Sequence, residues 1–290
     1  MKREERPNEP TVCFCLWNLR RHAKYHDLLK DSVLISEQAW TKGRLYDTED
    51  GYPALLESTE GTVYGELYLV TDEQLSRLDR LEEHEENRDN NLYDRKKKMI
   101  YHNRGETEAY TYFITKQNEF MLKTAIPSGD WKIYQFEKQK GNVLYYAYGS
   151  CMDHARFKLA NVDHYFQKLI GRGILEGYSL RFTKKLPDGG RADIVKNGGI
   201  VEGKVYELPR ECLHYLYQRE GVDIRLYRPA LIDVKMDGQI VKDVLTLIVV
   251  DKDPETAPPD HYLEEIIRGG RGILSDSYIS RLKEHVRTLA

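Results

Sequence analysis

The turn Tyr148-Gly149-Ser150 is the first place where residue types and spacing could do chemistry. It ends an apolar run that begins at Val143 and has the composition of a buried strand. A strand that stops on Gly-Ser exposes successive backbone N–H groups, and such unpaired donors bind a carboxylate or a phosphate. The local pattern alone is more typical of a buried strand and an ordinary turn. The chemical interpretation therefore depends on a partner elsewhere in the chain.

Glu220 is a candidate partner because it lies at the end of a predicted helix. Pro209 suits the first position of that helix, and Gly221 suits the left-handed residue just past its end. Leu213 and Leu216 recur at helical spacing and give one apolar face. The C-terminal end of a helix carries partial negative charge, which raises the pKa of a carboxyl group toward the range of a general acid/base. Most glutamates at such positions are only exposed surface residues.

A repeat of the same features in the first half favours the catalytic interpretation. There, a strand pattern containing a glycine precedes a helix pattern, then Glu82, then Tyr93 at the start of a strand. The second half has the same order with Glu220 and Tyr227. The glutamate follows the strand glycine by 17 positions in both halves, and the tyrosine follows after 11 and 7 positions. A matched order with one longer loop is typical of a duplicated domain.

The repeat predicts two tandem domains of the α+β class, 1–138 and 139–290, divided at the polar stretch Glu-Lys-Gln-Lys-Gly. Each half mixes short strands rich in Val, Ile, Leu and Tyr with few helices. This composition predicts a small mixed barrel or sheet with flanking helices. Thr71 and Gln74 predict a capping box on the first-half helix. In the second half we predict strands at 144–147, 179–182, 201–206, 230–234 and 244–250.

Composition and charge exclude several classes of protein. The 290 residues carry a net charge of −3, which gives no field that favours nucleic acid, and the basic run 95–98 is better explained as a solvated or edge-protecting strand. No apolar stretch approaches the roughly 20 residues of a membrane span, and residues 1–10 are too polar for a signal peptide. The four cysteines lack metal-ligand spacing and are too few for a disulfide framework. We therefore expect a cytoplasmic protein.

With the turn and the glutamate established, the second half resembles the γ-glutamylcyclotransferase family. The family pattern is Tyr-Gly-Ser-Asn-Leu after the first strand, Gly-x-x-x-Gly-x-x-Leu, an Ala-Asp-Ile strand and a helix ending in Glu-Gly. A tyrosine seven residues later and an Ala-Pro-Pro segment followed by a tyrosine complete it. The matching residues span nearly all of 142–290: Tyr148 to Met152, Gly173, Gly177, Leu180, Ala192-Asp193-Ile194, Glu220-Gly221, Tyr227, Ala257-Pro258-Pro259 and Tyr262.

The first half is similar to the AIG2-like branch of the same family, whose turn reads Tyr-Gly-Thr-Leu-Arg. The corresponding stretch here is Leu16-Trp17-Asn18-Leu19-Arg20, so a tryptophan replaces the glycine. Tryptophan lacks the backbone freedom of glycine and would crowd an anion-binding turn. We therefore expect the first domain to keep the fold with a degenerate site, although Glu82 and Tyr93 are present.

The resemblance implies conversion of a γ-glutamyl amine or γ-glutamyl amino acid to 5-oxoproline and the free amine. It implies Glu220 as general acid/base, with substrate bound by Tyr148, Gly149, Ser150, Cys151, Met152 and Tyr227. Tyr227 would donate a hydrogen bond to the substrate, and Tyr262 would help to close the site. The partner is a small-molecule γ-glutamyl substrate, with no metal, cofactor, nucleic acid or membrane. The oligomeric state stays open.

Three alternatives remain at this point. Cys151 stands where the family pattern has Asn; main-chain binding would tolerate this change, whereas a role for the amide would alter the substrate class. Cys151 with His154 could form a nucleophilic pair, although adjacency in sequence rarely gives one. The chain could also be a non-catalytic γ-glutamyl-binding or scaffold protein. The residue pattern after Gly-Ser differs from that of the glutathione-specific branch, which favours γ-glutamyl amines or dipeptides as substrates.

Overall fold

A computed structural model describes residues 11–289 and divides the chain into two compact units, Met1–Lys138 and Gln139–Ala290. Each unit contains a closed barrel of five strands with helices outside it. The predicted α+β class, with a small barrel and flanking helices in each half, is confirmed. The polar residues 1–10, interpreted above as not being a signal peptide, lie outside the described residues.

In the first domain, residues 11–138 form eight strands and two α-helices. They are β1 (Thr11–Cys15), β2 (Val33–Lys42), β3 (Arg44–Asp47), β4 (Pro53–Leu56), β5 (Thr62–Val70), α1 (Asp72–Leu81), β6 (Tyr93–His102), β7 (Gly105–Ile114), β8 (Thr124–Ala125) and α2 (Trp131–Lys138). The barrel order is β1-β5-β2-β6-β7, and a separate sheet has the order β4-β3-β8. The predicted capping box is present, because Gln74 N donates to Thr71 Oγ1 at 3.2 Å and Thr71 N donates to Gln74 Oε1 at 2.9 Å.

The described part of the second domain, residues 139–289, has seven strands and four α-helices. They are β9 (Val143–Ala147), α3 (His154–Leu159), β10 (Leu169–Glu176), β11 (Ser179–Leu186), β12 (Gly189–Val195), β13 (Ile200–Leu208), α4 (Cys212–Arg219), β14 (Tyr227–Met236), β15 (Gln239–Val249), α5 (Asp260–Gly270) and α6 (Asp276–Arg287). The barrel order is β10-β13-β9-β15-β14, and β11 pairs with β12.

The two barrels have the same topology. With β9, β13, β10, β14 and β15 in the places of β1, β5, β2, β6 and β7, the closed order of neighbouring strands is identical. Each barrel closes through one parallel contact, Cys13 with Tyr110 in the first and Tyr145 with Leu245 in the second. The repeated sequence features thus correspond to a repeated fold.

The predicted strands of the second half fall on observed strands, with one residue of overhang at 250. Strand β10 was not predicted because it contains glycines, which are uncommon inside strands. Helix α4 begins at Cys212, three positions later than Pro209, and Gly221 has the predicted left-handed φ of +61°.

A pair of glycines lets strand β9 pack closely in the barrel. Gly173 of β10 faces Gly203 of β13, and the ring of Tyr146 covers both. A Cβ on Gly203 would lie 2.5 Å from the carbonyl oxygen of Ala147 and 2.7 Å from the Tyr146 ring. In the first barrel, Gly65 of β5 likewise lies under a ring of β1, that of Phe14, but it faces Ala39 of β2 instead of a second glycine. The glycines seat the strand that leads into the predicted site.

Gly203→Ala should therefore destabilise the second domain by about 1–3 kcal/mol, since the added methyl overpacks a rigid contact. The measurement is the free energy of unfolding of the second-domain transition in urea. Gly238→Asn is the control, because Gly238 has a φ of +81° and open space around it, a conformation that Asn tolerates. Equal stability of Gly203→Ala and wild type would contradict this account of the packing.

Candidate active site

The second domain has an open cleft of about 310 Å³ at the end of β9. The residues that line it come from the turn, four strands, the C-terminal end of α4 and helix α5: Tyr145, Tyr148, Gly149, Ser150, Cys151, Ala192, Glu220, Tyr227, Leu247 and Tyr262. The structure thus brings together every predicted site residue except Met152, which is fully buried beneath the turn. Sequence reasoning did not single out Tyr145 or Leu247, whose apolar strands carry no local sign of a site.

The turn that follows β9 is a single turn of 3-10 helix, Ser150–Met152. The N–H groups of Ser150 and Cys151 have no partner inside this helix, because they belong to its first turn. Gly149 has a φ of −111°, so a left-handed conformation is not what the position requires. A Cβ there would lie 3.2 Å from Cβ of Ala192 and 3.4 Å from the hydroxyl of Tyr262. The glycine keeps the cleft open.

Glu220 faces this turn from the end of α4. It is the C-cap residue, one position beyond the helix, with φ −90° and ψ 5°. The thiol of Cys151 donates to its Oε1 at 3.1 Å, and Nε of Arg219 donates to the same oxygen at 3.3 Å. The side chain of Glu220 is 19% exposed. The turn and the glutamate, 69 residues apart, therefore form one site.

Cys151 lies in this site as a hydrogen-bond donor. Burial raises the pKa of its thiol to about 12, so the sulfur stays protonated at neutral pH. His154 is exposed on α3, with its ring 6.4 Å from that of Phe157. The structure shows Cys151 directed at Glu220, and this geometry does not support the Cys–His nucleophile interpretation.

Two tyrosines hold the backbone of Ala192 at the edge of the cleft. The hydroxyl of Tyr227 donates to the carbonyl oxygen of Ala192 at 2.7 Å, and the N–H of Ala192 donates to the hydroxyl of Tyr262 at 3.2 Å. Burial raises the pKa of both hydroxyls, that of Tyr262 to about 12, so both stay neutral. Because the one proton of Tyr227 is directed at Ala192, its oxygen is left to accept. This differs from the donor role implied for Tyr227 by the resemblance.

Two buried aspartates, each paired with a basic side chain, position these backbone segments. Asp193 accepts from Lys252 at 2.5 Å and from the N–H of Val249 at 3.1 Å, which ties β12 to β15. Asp153, just after the turn, accepts from Arg268 of α5 at 2.5 Å. Helix α5, which carries Tyr262, is thereby held against the turn.

The first domain repeats the backbone arrangement of this site but fills it with different side chains. Glu82 is the C-cap residue of α1 with φ −88° and ψ 7°, and the hydroxyl of Tyr93 donates to the carbonyl oxygen of Pro53 at 3.4 Å. In place of Gly149 stands Trp17, buried in a left-handed conformation with a φ of +41°, its ring 5.9 Å from that of Tyr93. A large aromatic side chain thus occupies this position of the first barrel.

Glu82 is electrostatically unlike Glu220. It is 3% exposed, and among the described residues its Oε1 has no hydrogen-bond partner. Burial raises the pKa of Glu82 to about 8. Its carboxyl group is therefore largely protonated at neutral pH.

Arg20, at the end of the first-domain turn, belongs to the core. It is 3% exposed, and its guanidinium donates to Asp130 at 2.6 Å and to Glu66 at 3.4 Å. The arginine of the AIG2-like pattern thus serves the packing of this turn against the barrel.

Residues 11–289 offer neither a metal site nor a membrane-spanning helix. No group of three or more His, Cys, Asp and Glu side chains there could hold a metal ion. No helix in that range is both long and apolar enough to cross a bilayer.

Comparison with known sequences identifies the family. Residues 18–133 match the model described as gamma-glutamyl cyclotransferase, AIG2-like, and residues 200–282 match that of the AIG2-like family. YkqA of Bacillus subtilis (strain 168) is 42% identical over 96% of this chain and 98% of that protein. The chain belongs to the AIG2-like gamma-glutamylcyclotransferase family, as the resemblance predicts. The second match includes Glu220 and Tyr227 and begins after the turn.

Two further relatives bear on fold and chemistry. The crystal structure of Bacillus subtilis YkqA has a TM-score of 0.87 and 41% identity, covering 97% of this chain and 99% of that chain. The gamma-L-glutamyl-butirosin B gamma-glutamyl cyclotransferase of Niallia circulans is 34% identical over 44% of this chain and 80% of that protein.

The buried carboxyl of Glu82 predicts a pH-dependent stability of the first domain. Its pKa of about 8 in the folded state exceeds the ordinary value of 4.5, so the folded chain keeps a proton that the unfolded chain loses. Stability from this group is fully present below pH 4.5 and falls by about 1.4 kcal/mol per pH unit until pH 8. Urea unfolding of the first-domain transition at several pH values measures this slope.

Glu82→Gln should flatten the slope, because an amide does not titrate. Glu83→Gln, an exposed neighbour, is the control and should leave the slope unchanged. Persistence of the full slope in Glu82→Gln would show that other groups cause it.

The protonated, buried thiol of Cys151 predicts resistance to alkylation. The thiolate is the reactive form, and a thiol with a pKa of about 12 supplies little of it at pH 7.5. Native protein treated with iodoacetamide should keep its activity and show no adduct on Cys151 by mass spectrometry. Protein alkylated in denaturant is the positive control. A fast Cys151 adduct with loss of turnover, in a chain where Glu220→Gln stays active, would favour the nucleophile interpretation.

Proposed function

We propose that the second domain, 139–290, converts a γ-glutamyl amine or γ-glutamyl amino acid to 5-oxoproline and the free amine or amino acid. The observation that carries the proposal is that the carboxylate of Glu220 lies in the same cleft as a turn that presents backbone N–H groups. Family membership supports the reaction class.

The chemistry needs little from the protein beyond positioning and proton transfer. The α-amino group of a γ-glutamyl compound lies within reach of its own γ-carbonyl carbon, so the nucleophile is already tethered. Folding the substrate into a five-membered ring brings the two together. An α-ammonium group cannot attack, however, so a base must first remove a proton.

Glu220 serves as that base and then as the acid. Its carboxylate takes one proton from the α-ammonium group, and the free amine attacks the γ-carbonyl carbon to form the ring N–C bond. The tetrahedral intermediate then expels the leaving amine by breaking the original C–N bond. Glu220 returns its proton to that amine and then passes on the extra proton that the ring nitrogen still carries, so the products are the neutral lactam and the ammonium form of the amine, and the protein ends unchanged.

The turn and the tyrosines hold the γ-glutamyl group. The N–H groups of Ser150 and Cys151 bind its α-carboxylate, with the cationic Arg219 close by, since its Nη2 donates to Ser150 Oγ at 3.2 Å. The oxygen of Tyr227, its proton directed at Ala192, accepts from the α-ammonium group. Tyr262 forms part of the wall.

In this proposal the leaving group is an amine or an amino acid. The relative from Niallia circulans is named for a γ-glutamyl group attached to butirosin B, which supports γ-glutamyl amines as the substrate class. The residues after Gly-Ser also differ from the glutathione-specific pattern.

The first domain, 1–138, has no catalytic role in this proposal. Trp17 stands where the second domain has Gly149, and Glu82 is buried. A substrate would have to displace the ring that packs on Tyr93. The domain keeps the family fold around this filled interior.

Glu220→Gln should reduce the turnover number by about 10²-fold or more, because the amide can neither take nor return a proton. The measurement is 5-oxoproline release from a panel of γ-glutamyl amines and γ-glutamyl amino acids. Glu82→Gln is a matched control: the same change at the same place of the other barrel should leave activity unchanged.

The panel also tests the alternative function. Measurable binding of γ-glutamyl compounds without product from any of them would favour a non-catalytic binding or scaffold protein. Activity that depends on Glu82 instead of Glu220 would assign the chemistry to the first domain.

A further inference from the structure

The carboxylate of Glu220 is held by one of its two oxygens. Within residues 11–289, both hydrogen bonds to this side chain end on Oε1: one from Cys151 Sγ at 3.1 Å, one from Arg219 Nε at 3.3 Å. Oε2 is left for a group that enters the cleft. A carboxylate anchored on one side presents a single oxygen in a defined direction.

Cys151 is suited to this anchoring. Its thiol is buried and protonated, and it is also hydrogen-bonded to the side chain of Tyr145. The single thiol proton is directed at Glu220. The family pattern has Asn at this position, and an amide is also a donor, so the change to cysteine retains a donor of shorter reach. The thiol of Cys151 therefore donates to Glu220 at the position where the family pattern has an amide.

Arg219 anchors the same oxygen from the other side. Its Nη2 donates to Ser150 Oγ at 3.2 Å and its Nη1 donates to the hydroxyl of Tyr215 at 3.3 Å. The planar guanidinium thus joins Glu220, the turn and helix α4 in one fixed geometry. The side chain is only 16% exposed, which protects the ion pair from solvent screening.

We infer that Cys151 and Arg219 are positioning residues that hold Glu220 by Oε1, and that Oε2 is the oxygen that exchanges the proton with the substrate. The inference rests on the proposed function and deepens it.

Several other titratable or charged groups face Glu220. They come from four places around the cleft: Tyr145 on β9 and Tyr148 just after it, Tyr215 on α4, Tyr227 on β14 and Tyr262 on α5. Burial raises the pKa of each of these hydroxyls above its ordinary value. Between pH 4 and 8 they stay neutral, so Arg219 supplies the positive charge against the carboxylate in that range.

The test separates positioning of the carboxylate from binding of the substrate. Cys151→Ala and Arg219→Gln should each lower the turnover number by about 10-fold, with smaller changes in KM, because a carboxylate that is no longer held presents its reacting oxygen less often. Cys151→Ser and Arg219→Lys, which keep the donor and the charge, should restore part of the turnover number. Cys212→Ala removes a buried thiol that does not line the cleft and should leave the turnover number unchanged.

A structure with bound 5-oxoproline should place the ligand against Oε2 while Oε1 keeps both donors. A wild-type turnover number in both Cys151→Ala and Arg219→Gln would overturn the inference, as would ligand contact at Oε1. Because the ligand-bound structure needs no turnover, it tests the inference apart from the proposed function, which fails if wild type releases no 5-oxoproline.

Discussion

The hydrogen bond from Cys151 to Glu220 joins two segments 69 residues apart, and the rest of the second domain keeps them in register. The turn reaches its place because β9 packs over facing glycines in the barrel. Glu220 reaches its place because α4 ends one residue before it and Gly221 turns the chain away with a left-handed φ. The ion pair of buried Asp153 with half-exposed Arg268 holds α5 beside both. Loss of any of these contacts would move the carboxylate away from the turn.

The two domains place a glutamate at the same position of the same fold in two different electrostatic environments. Both glutamates cap the equivalent helix with nearly the same backbone angles, and both following tyrosines donate to a strand carbonyl. Glu220 has an arginine and a thiol as partners and faces a cleft, whereas Glu82 is buried with an unpartnered Oε1 and a raised pKa. The difference follows from what surrounds the carboxyl group, since desolvation without a counter-charge favours the neutral acid.

The sequence predicted much of this arrangement and missed its details for identifiable reasons. Gly221 and the capping box of Thr71 with Gln74 are local signals, and each appears where predicted. Strand β10 was missed because it contains glycine where the ring of Tyr146, on another strand, leaves no room for a side chain. The steric need for Gly149 was likewise invisible, because Ala192 and Tyr262 lie far from it in sequence.

The sequence by itself determined the α+β class, the repeated order of glutamate and tyrosine and the family, because these depend on periodicity, spacing and short motifs. Only the tertiary structure decided which oxygen of Glu220 is held, where the proton of Tyr227 goes and why Cys151 is a donor. Those properties depend on distances between segments that are remote in the chain and on the burial that they create together. No local pattern carries that information.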